Sequence, residues 1–147
     1  MTLTDLQARE QLVDRFKAFY QNLANIPLDD IESVYHPEVV FKDPVHEVRG
    51  ISHLHHYMQS ICSGLSSGRF QYLDQMVSDH TAYIKWNMYF IHHKLGEKEI
   101  VVRGVTQIQF GEQIYYHEDI YDMGEMLYEN VPVFGAGIGW LKKRLAA

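Results

Sequence analysis

The sequence predicts an α+β domain, and two observations carry that prediction. Apolar residues recur at helical spacing as far as Cys62, and from Phe70 onward the period falls to two. A third observation orders the parts: the alternating segments are long and joined by short turns, so an antiparallel meander follows the helices.

Thr4 and Asp5 supply helix-start chemistry, and Leu6, Leu12, Val13, Phe16, Phe19, Tyr20 and Leu23 follow on one face, predicting a helix to about Ala24. Pro27 opens a short second helix with Asp29, Asp30 and Glu32 in its first turn, where they suit the dipole. His36-Pro37 stops it. Val39-Val40-Phe41 reads as a strand ended by Pro44, and Gly50 precedes a helix from Ile51 to about Cys62. Ser63 to Gly68 reads as a loop. Phe70, Tyr72, Asp74 and Met76 then share one face of a strand, as do Ile84, Trp86, Met88 and Phe90 of the next. Ile100, Val102, Gly104, Thr106, Ile108 and Phe110 alternate in a third. Gly111-Glu112 turns the chain into a last strand, Ile114 to Asp122. The closing segment reads as broken helix, interrupted at Pro132 and by Gly135, Gly137 and Gly139.

The chain's 147 residues suit one domain, 1–147, without repeat or linker. Apolar residues at 46% and charged residues at 22% are the balance of a soluble globular protein. A net charge of −6 opposes nucleic-acid binding, which needs a basic surface. The first residues lack an apolar signal-peptide core, and no stretch has the roughly 18 uncharged apolar residues of a membrane span. A cytoplasmic protein is expected. Cys62 is the only cysteine, so it reads as a reduced, structural thiol on an amphipathic helix.

Parity brings chemistry together on the last strand. His117, Asp119 and Tyr121 are two apart and share one face; if Tyr115 and Tyr121 face the core, so do His117 and Asp119. A His and a carboxylate on an apolar face are costly to bury unless paired or used. Such a pair can move protons near neutral pH, or it can merely satisfy itself. Asp43, forced into extended geometry by Pro44, is either a reactive carboxylate or a cap on the following turn. Trp86, Met88, Phe90, Ile108 and Phe110 form an apolar wall, and the bare Gly104 leaves room for a ligand or for close packing.

Two stretches resemble a known superfamily. YHPEVVFKDPVHEVRGISHLHHYM is similar to the region of nuclear-transport-factor-two-like proteins, ketosteroid isomerases included, where a strand ends in Asp-Pro and a Gly opens the next helix. VVRGVTQIQFGEQIYYHEDIYDMGEMLYENVPVFGAGIGWLKKRL resembles the end of SnoaL-like domain proteins, relatives of polyketide cyclases, with a His-x-Asp-x-Tyr strand. The resemblance implies a cone-shaped, cystatin-like roll: a curved antiparallel sheet wrapped by N-terminal helices around one apolar pocket. It also implies a proton-shuttling role for Asp43 and an acid/base role for Asp119. The oxyanion positions of the isomerases fall on Phe16 and Thr106, which departs from that family, because Phe cannot donate and Thr donates weakly. The superfamily's epoxide hydrolases use an inward Arg. Simple alternation points Arg103 outward, and a bulge at Gly104 would turn it toward Asp119.

Catalytic candidates are therefore Asp43, His117 and Asp119, with Phe16, Tyr20, Trp86, Met88, Arg103, Thr106 and Tyr121 as substrate-binding candidates. Tyr20 and Tyr121 are the candidate donors to a carbonyl or enolate. No cofactor is expected, and no metal: His53, His55 and His56 on one helix lack a matched partner set and read as solvated. Two functions stay open. One is cofactor-free proton-transfer chemistry of cyclase, isomerase or epoxide-hydrolase type on a small apolar oxygenated molecule. The other is a non-catalytic sensor or accessory module that binds a small molecule or a protein. Homodimerisation follows from the resemblance, with the outward row Lys85, Asn87 and Tyr89 as the mating surface. The tail, with Trp140, Leu141 and Leu145 beside Lys142, Lys143 and Arg144, reads as a docked helix, a lid or a peripheral contact with anionic lipid.

Overall fold

The computed structural model describes residues 3–126 and 132–146. Helix α1 (Leu3–Phe19) and a 3-10 turn (Leu28–Ser33) lead into β1 (Tyr35–Lys42) and β2 (Glu47–Arg49). Then come α2 (Ile51–Gly64), β3 (Leu65–Val77), β4 (Thr81–His92), β5 (Ile100–Phe110), β6 (Ile114–Tyr121), α3 (Met123–Met126) and α4 (Pro132–Ala146). The strands form one six-stranded sheet in the order β2-β1-β6-β5-β4-β3. All pairs are antiparallel except β1 with β6, so the sheet is mixed rather than wholly antiparallel.

Helix α1 ends earlier than its apolar spacing predicts. The Leu23 N–H turns away to the Gly68 carbonyl of β3, 2.9 Å distant, which ties the chain to the sheet instead of to another helical turn. The stretch 63–68 is likewise not a loop, since α2 runs to Gly64 and β3 starts at Leu65. Strand β1 begins at Tyr35 and carries Pro37 inside a register shift against β6, where a missing N–H costs no ladder bond. Gly50 sits at φ 87° and ψ 147°, a region open essentially to glycine alone. That bend lets its N–H meet the Val39 carbonyl at 2.7 Å and its own carbonyl start α2, which lays the helix across β1.

Two of the register shifts in the sheet bear on the site. In β3, Tyr72 pairs Trp86 but Asp74 pairs Lys85, so Leu73 is the extra residue, and Asp74 and Met76 turn outward rather than inward. In β6, Phe110 pairs Ile114 and Gln109 pairs Tyr116, which leaves Tyr115 extra. Tyr115 is accordingly exposed and does not share the face of His117, while Ile114 and His117 are buried. No shift occurs at Gly104, whose neighbours pair in regular order on both sides.

Val13 and Phe16 of α1, Leu54 of α2 and Ile84, Val102 and Ile108 of the sheet are buried against one another. Each such side chain contributes about 1.5–3 kcal/mol through the area it removes from water. Gly104 is part of this packing. A Cβ there would lie 2.3 Å from the Trp86 ring, so the bare position is filled by an indole and not by a ligand. Helix α4 is continuous through its glycines, and the described side chains of its last turns, Trp140 and Leu145 among them, are exposed. No helix among the described residues is long and apolar enough to cross a membrane.

Candidate functional site

A cavity of about 510 Å³ opens between the concave face of the sheet and the helices. Its walls are apolar side chains such as Phe41, Met58, Phe70, Trp86 and Phe90, with Met123 and Met126 of α3 at one side. Into this surface project two carboxylates, Asp43 and Asp119, together with Tyr57, Tyr121 and His46. A mostly apolar cavity with a few convergent polar groups is the usual form of a small-molecule site.

Asp119 sits near the end of β6, where the regular β5–β6 ladder sets it opposite Thr106. Its Oδ1 accepts from the Thr106 hydroxyl at 2.6 Å and lies 2.7 Å from His117 Nε2. An ionised carboxylate only accepts, so in that pairing the ring proton lies on Nε2. The Trp86 indole N–H, which can only donate, holds Thr106 Oγ1 at 2.8 Å and leaves the threonine proton for the carboxylate. Behind His117, Nδ1 meets the Tyr35 hydroxyl at 2.7 Å, and the Tyr20 hydroxyl reaches Tyr35 at 2.5 Å. The ring is 2% exposed and wedged among Phe16, Phe41 and Tyr35, so its orientation is fixed by packing as well as by bonds. All the hydrogen bonds recorded for Asp119 among the described residues end on Oδ1. Oδ2 carries none of them, in a side chain that lines the cavity and is 18% exposed.

Asp43 is held differently. Its Oδ1 accepts the N–H groups of Val45 and His46 at 2.8 and 2.7 Å, an Asx-type turn that Pro44 favours. The Tyr57 hydroxyl of α2 donates to Oδ2, and also lies 3.2 Å from His46 Nδ1. Both oxygens are therefore engaged, and the side chain is only 5% exposed. Asp43 thus caps the turn, as one of its two readings expects, and it also lines the cavity.

The phenols of the cavity are kept protonated. Burial, the Asp43 hydrogen bond and nearby carboxylate charge push Tyr57 far above the ordinary tyrosine range. Burial followed by the charges of Asp43 and Asp119 raises Tyr121 in the same direction. Tyr121 thus stays a hydrogen-bond donor in the field of both carboxylates.

The structure brings Asp43, Asp119, Tyr20, Trp86, Met88 and Tyr121 to the cavity wall. His117, Thr106 and Phe16 stand behind Asp119 and line a smaller recess. The Tyr20 hydroxyl is occupied by Tyr35 and Met58 and is not the donor its sequence position suggested. Arg103 lies outside: with no bulge at Gly104 it stays on the convex face, 77% exposed, with Nε 3.7 Å from Glu125. It is not a partner of Asp119. Sequence reasoning missed Tyr35, His46 and Tyr57. Tyr57 already lay on the apolar face of α2, and His46 stood three residues after Asp43, but Tyr35 was hidden by reading β1 as starting at Val39. His53 and His56 are exposed on α2, and among the described residues no three His, Cys, Asp or Glu side chains are gathered to hold a metal.

With this geometry the comparisons with known proteins agree. The SnoaL-like domain matches residues 16–117, well over half of the chain. The chain belongs to the SnoaL-like domain family. Among solved structures it is similar to a SnoaL-like polyketide cyclase from Jannaschia sp. CCS1, at TM-score 0.70 and 12% identity over 82% of this chain and 92% of that one. It is also similar to an epoxide hydrolase of the LEH-like type from M. tuberculosis, at TM-score 0.69 and 10% identity over 90% and 95%. A protein of ketosteroid isomerase-like fold from Catenulispora acidiphila, in complex with trimethylamine, superposes at 0.69 with 11% identity over 79% and 88%. Identities this low speak for the fold alone. No curated protein matches the chain by sequence. SnoaL-like family membership and the curved α+β fold are thereby established, as the sequence predicted.

Proposed function

We propose that this SnoaL-like domain catalyses cofactor-free proton transfer on a small, apolar, oxygenated molecule, with Asp119 as the acid/base. The observation that carries this reading is the asymmetry of Asp119, whose Oδ1 is tied to Thr106 and His117 while Oδ2 takes none of these bonds. Fixing one oxygen orients the other without reorganisation at the moment of reaction, which is the condition for efficient general base catalysis. Asp119 takes a proton from a carbon beside a carbonyl, and the electron pair moves onto the oxygen. When the carbonyl re-forms, the carboxyl group, whose proton exchanges with solvent, returns a proton to carbon. Tyr121, kept protonated by burial and by the charges of Asp43 and Asp119, is a hydrogen-bond donor on the wall of the main cavity. His117 positions Asp119 and does not touch the substrate. The likeness to cyclase, isomerase and epoxide-hydrolase scaffolds supports this class of chemistry without selecting a member.

The test is turnover of a panel of apolar cyclic ketones, β,γ-unsaturated ketones and epoxides, with binding followed in parallel by calorimetry. Turnover that Asp119→Asn removes supports the reading. Tight binding across the panel with no turnover would instead make the domain a small-molecule-binding module.

We also propose that the domain acts as a homodimer. Tyr83, Lys85, Asn87 and Tyr89 alternate on the convex side of β4, with Tyr83 and Val101 exposed. Sedimentation at micromolar concentration is expected to show a dimer, and a lone monomer would remove this part of the proposal.

A further inference from the structure

A second, deeper space adjoins the main cavity. It is about 20 Å³, lined by Phe16, Tyr20, Phe70, Tyr72, Trp86, Thr106, His117 and Asp119. Asp119, Tyr20, Phe70 and Trp86 border both spaces, so the recess lies at the Asp119 end of the site. Its volume suits a single oxygen atom or one water and nothing larger.

One feature of the recess is unexplained by the fold. The Tyr72 hydroxyl is buried, and it is the buried side-chain polar atom without a hydrogen-bond partner among the described residues. Buried polar groups are nearly always paired, so an orphan in a wall calls for a partner from outside the chain. The neighbouring polar groups do not supply one. Thr106 gives its proton to Asp119 and receives one from Trp86, His117 is bonded at both nitrogens, and Tyr20 is bonded to Tyr35 and Met58. Tyr72 is also placed there by the sheet itself. The bulge at Leu73 follows it directly, so Tyr72 is the last residue of β3 to face inward in the original phase. It stacks on Phe70 with ring centroids 5.7 Å apart, which fixes the ring.

We infer that the recess is a one-oxygen subsite, in which Tyr72 donates a hydrogen bond to an oxygen that also lies beside Asp119. Its ligand is a carbonyl or epoxide oxygen of the substrate or a water molecule. Burial, with the charge of Asp119 added, raises the Tyr72 phenol, so it serves as a neutral donor and not as a phenolate. This rests on the acid/base reading of Asp119 and extends it to a substrate class: a molecule with an unhindered terminal oxygen and an apolar body that fills the larger cavity. The donor missing from Phe16 and Thr106 is thus supplied from β3.

The test uses 4-tert-butylcyclohexanone, whose carbonyl stands at one end of an apolar body, labelled with carbon-13 at the carbonyl. Its infrared stretch when bound is expected to fall to lower frequency in the wild type, and to lose that shift in Tyr72→Phe with about tenfold weaker binding. A crystal structure at high resolution should show an ordered water in the recess of the free protein, displaced by the ketone oxygen in the complex. A water that stays in place on Tyr72 when the ketone binds also supports the subsite and assigns it to water. An unshifted stretch in the wild type, together with a dry recess, overturns the inference. None of these readouts needs turnover, so their failure is separable from a failure of the Asp119 proposal, which Asp119→Asn tests by activity.

Discussion

Asp43 and Asp119 share one cavity but are held by opposite means, one with both oxygens bonded and the other through a single oxygen. Asp43 lies in a turn and has both oxygens engaged, one by two backbone N–H groups and one by Tyr57. Asp119 stands on a strand of the central sheet and takes its recorded bonds on one oxygen, from side chains that are themselves buried and bonded. A carboxylate that completes a turn has its oxygens taken up by the groups it holds. One anchored through a single oxygen leaves the other for a ligand, and its anchors Thr106 and His117 are buried and themselves bonded.

The sharpest way to break this comparison is to neutralise each carboxylate in turn. Asp119→Asn is expected to reduce turnover by about 10²–10⁴-fold, the usual contribution of a positioned acid/base group, with the fold intact. Asp43→Asn is expected to cost at least about tenfold less, since the amide oxygen still caps the turn and Asp119 is untouched. Steady-state kinetics on any substrate that the panel returns checks both. Equal losses would mean that the two carboxylates act as a pair.

A third substitution probes the anchor and not the acid. Gly104→Ala places a methyl group against the Trp86 ring, where the closest ring atom would be 2.3 Å away. The indole must shift and loosen its bond to Thr106, at an expected cost of about 1–3 kcal/mol in stability. Denaturant titration measures the loss, and tryptophan fluorescence should report the displaced ring.

The smallest effect concerns the network behind His117. Tyr20 and Tyr35 are 5% and 0% exposed, and burial is the largest cause that raises both phenols well above the ordinary value. Their folded forms therefore keep protons that the unfolded chain releases above about pH 10. Stability from these phenols is fully present below that pH and is lost as pH rises above it, by up to about 1.4 kcal/mol per pH unit for each. Urea midpoints measured on either side of about pH 10 should fall accordingly. A flat profile would show that the hydroxyl chain opens to solvent.

Much of this was legible in the sequence because two periods of hydrophobicity mark the helices and the meander. His117 and Asp119 were found by parity, and Asp43 by its proline. What stayed hidden depends on contacts between distant residues. Tyr35 meets His117 across 82 positions, and Tyr57 meets Asp43 across 14. The bulges at Leu73 and Tyr115 also reset parity without a glycine or proline to announce them. That is why Tyr115 does not share a face with His117, and why Asp74 and Met76, grouped with Phe70 and Tyr72 by plain alternation, turn outward. Arg103 illustrates the converse: plain alternation was right, and the bulge invoked to reverse it is absent.

The central claim is that Asp119 removes and returns a proton on a bound oxygenated molecule. Its most direct test is deuterium exchange at the carbons beside the carbonyl of 4-tert-butylcyclohexanone in heavy water, followed by NMR with wild type, Asp119→Asn and Asp43→Asn. Exchange accelerated by the wild type and by Asp43→Asn, and returned to the uncatalysed rate by Asp119→Asn, is the expected result. No acceleration by the wild type, or equal acceleration by Asp119→Asn, would contradict it.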